Sequence, residues 1–131
     1  MMSLSTEIEN MLSNEDRKYI VSEYLRTIHH ISSKEYQKRV WIRGEGPECD
    51  DFDETVNYFF GEIDSILNEY KEFGITENQF HVLKSFRDKF EVFADKNNWP
   101  SEFIDTPEWN EITEMAKEVL KAFNYDKTRA H

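Results

Sequence analysis

The stretch DFDETVNYFFGEIDSILNEYKEFG, residues 51–74, decides the fold class. Along it Val56, Phe59, Phe60, Ile63, Ile66, Leu67, Tyr70 and Phe73 recur at the spacing that gathers side chains on one face of a helix. Asp51 or Asp53 offers the oxygen that caps such a helix, and Gly74 offers the residue that ends it. Gly61 marks a point where it can bend. Downstream, Thr76 and Gln79 have the spacing of a capping box, which starts a second helix through about Asp95 with Phe80, Leu83, Phe86, Phe90 and Phe93 inward. Asn97-Asn98-Trp99-Pro100 interrupts it, and Trp99 beside Pro100 reads as packing in a helix corner. Asp105-Thr106-Pro107 then gives a cap followed by proline at the first helical position. The last stripe is Trp109, Ile112, Met115, Ala116, Val119, Leu120 and Phe123.

Upstream, Gly44-Glu45-Gly46-Pro47-Glu48 cannot continue a helix, because glycine loses backbone entropy and proline lacks a donor, so a loop spans Gly44 to about Asp51. Before it, Lys34 to Arg43 carries Tyr36, Val40 and Trp41 and suits a helix, although Arg-Val-Trp-Ile also suits an extended chain. Ser13 or Asn14 caps a longer helix to about Ile31, with Ile20, Tyr24, Leu25 and Ile28 on its buried side. A short helix is compatible with Thr6 to Leu12. No repeat, low-complexity tract or linker interrupts the 131 residues. The pattern predicts one all-α domain over residues 1–131, a compact bundle of five or six helices frayed at 1–14 and 124–131.

Composition narrows the function. Asp and Glu number 27 against 16 Lys and Arg, a net charge of -11, which repels nucleic-acid phosphates and anionic lipid heads. No apolar run reaches the roughly 18 residues of a spanning helix. Residues 1–11 carry Glu7 and Glu9 where a signal peptide needs a basic and then apolar start, so a cytoplasmic location is expected. The single cysteine, Cys49, excludes an internal disulfide and a multi-cysteine zinc site, and its acidic neighbours disfavour a reactive thiolate.

Charge is segregated along the chain. From Arg17 to Arg43 seven bases face only Glu23 and Glu35, whereas from Gly44 to Asn78 eleven acids face Lys71 alone. The plain reading is a solvated helix face. The sharper reading is an anionic docking surface for a basic partner, made of Glu45, Glu48, Asp50, Asp51, Asp53, Glu54, Glu62 and Asp64, with Tyr58 as a desolvated anchor. Redundancy favours the second reading: capping takes one or two carboxylates, while Glu45, Glu48, Asp50 and Asp51 all precede the helix and repel one another. Tyr36, Trp41 and Trp99 are further aromatic candidates, with Trp41 reading as core. A calcium loop does not fit, because Val56 stands where the turn glycine belongs. His29 and His30 are adjacent and diverge on a helix, unlike paired metal ligands at i and i+4, and His81 reads as a surface residue. Gly44-x-Gly46 lacks the rest of a phosphate loop. No catalytic residue, metal site or cofactor is expected.

Arg39-Val40-Trp41-Ile42-Arg43-Gly44-Glu45-Gly46-Pro47-Glu48, continuing into Phe52-Asp53-Glu54, together with Phe103-Ile104-Asp105-Thr106-Pro107-Glu108-Trp109, resembles small bacterial immunity proteins of toxin-immunity systems, of the contact-dependent growth inhibition type. The resemblance spans roughly Tyr36 to Phe123. It implies a cytosolic, non-catalytic protein that binds the toxin domain of a secreted effector and blocks its active site. Such toxins are often nucleases with basic surfaces. It assigns no individual contact residue, since these vary with the toxin. A helical adaptor or nucleic-acid mimic predicts the same acidic face, and a carboxylate-based metal-binding protein or enzyme is a further alternative.

Overall fold

The computed structural model describes residues 12–125, and among them every regular element is helical. Helix α1 (Asn14–Ser32) is followed by a single turn, α2 (Lys34–Tyr36), which widens into a π-helical segment, Gln37–Ile42. Then come α3 (Phe52–Asn68), α4 (Glu77–Ala94), the short α5 (Pro100–Phe103) and α6 (Pro107–Ala122). The all-α bundle read from the sequence is the observed architecture, with α6 packed chiefly on α1 and α4.

The starts of the helices are fixed by local chemistry. Ser13 Oγ accepts from the Asp16 amide and Asp16 returns a bond to the Ser13 amide, a reciprocal box that Thr76 and Gln79 repeat on α4. Asp51 caps α3 by accepting from the Glu54 amide at 2.8 Å, and Thr106 caps α6 ahead of Pro107. Each cap satisfies a donor that the first helical turn cannot, worth on the order of 1 kcal/mol.

The inward stripes meet in one core. Phe59, Ile63, Phe86, Phe90, Trp109, Ile112 and Val119 are fully buried. Phe52, Phe90, Phe93, Phe103 and Trp109 form a ring cluster with centroids 4.8–6.4 Å apart. Burying each phenylalanine contributes about 2–3 kcal/mol, so the many aromatic residues are explained by packing.

The structure corrects several details. Residues 34–42 are helical rather than extended, but their bonds widen, with the Arg43 amide reaching Lys38 at 3.0 Å and the Glu45 amide reaching Arg39 at 2.8 Å. Regular α-helix ends at Asn68, not Gly74; the chain continues in turns until Gly74, at φ +73°, closes them. There the Ile75 amide bonds Tyr70 and the Gly74 amide bonds Lys71, the paired closure that a left-handed residue permits. Asn124, at φ +53°, ends α6 in the same way, and Ser13 and Asn14 form the capped start of α1. The helix expected at Thr6 to Leu12 falls outside the described residues, apart from non-helical Leu12. Trp99 does not pack the corner: it is 68% exposed, whereas Phe103, in the unforeseen α5 turn, and Ile104, its C-cap, are buried.

Candidate functional site

The loop after the π segment and the first half of α3 hold most of the candidate acids, and the fold divides them into two groups. The first group is engaged inside the molecule. Arg39 grips Glu48 through two parallel bonds of 2.8 and 2.9 Å and also donates to the Glu45 carbonyl at 3.2 Å. That grip, with a backbone amide donor, holds the Glu48 carboxyl down to about 2. Arg43 donates to Glu45 at 2.6 Å. Asp50 accepts from the Tyr36 hydroxyl at 2.8 Å, the Trp41 indole at 3.1 Å and the Thr55 hydroxyl at 3.1 Å. Asp51 is the α3 cap. Mutual repulsion among these four acids is therefore no argument for an external partner, because each has an internal role, and for Glu45, Glu48 and Asp50 chain order alone conceals it. Further along α3, Asp64 is paired with Arg87 at 3.0 Å.

The second group is free. Asp53, Glu54 and Glu62 are exposed, and their carboxylates have no hydrogen-bond or ion-pair partner among the described residues. Glu54, Tyr58 and Glu62 follow one another at intervals of four residues and so share a face of α3. Tyr58 is 47% exposed, and its ring stacks on Tyr24 with centroids 5.2 Å apart. Tyr24 secures this arrangement from α1: its hydroxyl donates to the Tyr58 carbonyl at 3.3 Å and accepts from the Glu62 amide at 3.1 Å. Those are the carbonyl and amide of residues one turn apart in α3, so the Tyr24 hydroxyl sits against a single helical turn. Burial pushes the Tyr24 phenol well above its usual range, so it remains a donor.

Helix α1 contributes groups that the sequence reading did not assign to the site. Tyr19 is 67% exposed and donates to Glu23 at 3.1 Å, and Arg26 lies 3.6 Å from Glu23. Tyr19 and Glu23 are four residues apart on the outer side of α1, a detectable pattern, but nothing local says that this side adjoins α3. Between the two helices and residues 48–50 lies a cleft of about 470 Å³. His30 forms part of its lining and stacks flat on Tyr36, centroids 3.9 Å apart. Burial pushes His30 down to about 4 against the pull of Asp50, so its ring is neutral near pH 7.

Of the other aromatic candidates, Tyr36 is buried and Trp41 is half-buried against Phe52 and Trp109, so neither is an exposed anchor. Cys49 is exposed and lines the cleft. His81 is a surface residue 3.7 Å from Glu77, an acid one turn earlier that the sequence reading passes over. Among the described residues, no group of three or more His, Cys, Asp or Glu side chains converges to hold a metal ion. No described helix is long and apolar enough to cross a membrane. Comparison of the whole chain with protein-family models, curated proteins and solved structures finds no match in any of the three.

Proposed function

We propose that the protein is a non-catalytic inhibitor of the immunity type, which neutralises a basic toxin domain through the acidic face of α3. The observation that carries the reading is the row Glu54, Tyr58, Glu62: an aromatic ring 47% exposed between two carboxylates that no other described residue pairs with. An exposed tyrosine already stacked on a buried neighbour loses little conformational freedom on binding, and surrounding acids steer a basic surface towards it. Asp53 extends the charge at the start of the helix, and Tyr19 and Glu23 extend the face across α1. Glu45, Glu48, Asp50, Asp51 and Asp64 contribute to the field but are held by internal partners.

The test is capture of a partner from the source cell, with the wild-type protein and a Glu54→Lys/Glu62→Lys variant as parallel baits. The expected result is one basic domain retained by the wild type at about 50 mM salt, weakened at about 300 mM, where exposed charges are screened, and lost to the variant. That domain, assayed alone, should have an activity that the wild-type protein suppresses. Capture of a nucleic-acid-binding protein with no toxic activity would favour the mimic, and equal capture by both baits would exclude this face.

A further inference from the structure

We propose, resting on the reading above, that the cleft between α1 and α3 receives an arginine side chain of the basic partner, its guanidinium lying against Tyr58 and facing Asp50 and Glu54. The cleft opens beside the exposed Tyr58 ring, and Glu23, Glu48, Asp50 and Glu54 all line it, with Arg26 as the one Lys or Arg among the described residues of the lining. Two of those carboxylates are matched: Arg39 holds Glu48, and Arg26 lies beside Glu23 on its own helix. Asp50 differs. Its three donors, Tyr36, Trp41 and Thr55, are all neutral, so they fix its position without cancelling its charge. Glu54 has no side-chain partner among the described residues. The cleft thus holds two unmatched negative charges next to an aromatic face, and neutral His30 adds no opposing charge.

A planar guanidinium suits this setting better than an ammonium, because it can stack on the tyrosine ring while directing N–H groups to two carboxylates at once. At about 470 Å³ the cleft has room for such a side chain. The complementarity is one of charge and shape together, which an acidic outer surface alone would not provide.

The experiment is an NMR titration of the full chain with an acetylated, amidated Gly-Arg repeat octapeptide, alongside the Gly-Lys and Gly-Gln repeats of equal length. Saturable shifts at the amides of Thr27, His30, Cys49 and Thr55, with the arginine peptide binding more tightly than the lysine one, are expected. Tyr58→Leu should weaken the arginine peptide by about threefold and reduce its advantage over lysine. Glu54→Gln, at an exposed position outside the core, should weaken both charged peptides by about threefold or more with no change in fold. Shifts confined to Gly61, Glu62 and the outer turns of α3, with the cleft amides unmoved, would overturn the cleft as the seat while leaving the acidic face intact. Equal binding of the Gly-Gln peptide, or no shift with any peptide, would overturn the inference from charge.

Discussion

Trp109 donates its indole N–H to the side-chain oxygen of Gln37 across 2.8 Å, with both side chains fully buried and 72 residues apart in the chain. The amide nitrogen of Gln37 donates to the carbonyls of His30 and Ile31 at 2.9 and 2.8 Å. A helix end leaves such carbonyls without partners, so one side chain closes α1 and anchors α6 while opening the π segment. Gln37→Leu fits the space but strands the Trp109 indole N–H and the Ile31 carbonyl, while the His30 carbonyl keeps the Ser33 amide at 3.3 Å. We expect it to cost about 2–4 kcal/mol in urea denaturation, with a coupling of about 1–2 kcal/mol to Trp109→Phe in a double-mutant cycle. A loss below about 0.5 kcal/mol would mean that water replaces the amide without penalty.

This network also marks where the sequence stops being legible. The stripes on α3, α4 and α6 and the Ser13, Thr76 and Thr106 caps are local patterns, and they appear in the fold, although α3 stops at Asn68 and leaves Tyr70 and Phe73 in the turns beyond it. The widened turn at Gln37–Ile42 is not local: it is held by contacts to Trp109 and Asp50 that no window of neighbouring residues contains. The candidate site divides in the same way. The acidic bias of residues 44–78 is visible by counting, but which acids are occupied depends on Arg39, Arg43, Tyr36 and Trp41 upstream of the loop and, for Asp64, on Arg87 from α4. The contribution of α1 depends on Tyr24 binding α3 across 34 residues.

The division among the acids separates stability from charge. Asp51→Ala removes the α3 cap and should cost about 1 kcal/mol in thermal or chemical unfolding. Glu54→Lys/Glu62→Lys touches exposed carboxylates with no partner among the described residues, so unfolding should move by less than about 0.5 kcal/mol. If the charge reversal destabilised the fold more than loss of the cap, the two groups would be wrongly assigned.

His30 gives the protein an acid-sensitive limb. Burial lowers its folded pKa from 6.5 to about 4, with Arg26 and His29 acting in the same direction and Asp50 and Glu48 opposing. Between those values the unfolded chain binds the proton more readily than the folded one, so stability is full above about pH 6.5 and declines as pH falls towards 4. Because the ring is only half-buried and borders an open cleft, the contribution is on the order of 1 kcal/mol. His30→Phe keeps a ring to stack on Tyr36 and should flatten the stability profile between about pH 6.5 and 5 in urea titrations, above the range where most carboxylates protonate. An unchanged slope would assign the effect to another group.

Gly44 and Gly46 both have positive φ, at +64° and +97°, but they differ in what surrounds them. A Cβ on Gly44 meets nothing within 4 Å, so Gly44→Ala bears backbone strain alone, about 1 kcal/mol. A Cβ on Gly46 would collide with the Arg39 guanidinium and come within 2.7 Å of Glu48 Oε1, the two groups whose pairing fastens the loop. Gly46→Ala must therefore part them as well as strain the backbone. The Glu48 carboxyl, held down to about 2 by Arg39, should then titrate closer to the usual 4.5. A depressed carboxyl stabilises the fold above its unfolded value and loses that contribution as pH falls through the folded one, so the limb between about 4.5 and 2 should shrink in Gly46→Ala and persist in Gly44→Ala. Carbon-detected NMR titration of Glu48 in both variants makes the comparison, and an unmoved midpoint in Gly46→Ala would mean that the pair re-forms around the added methyl group.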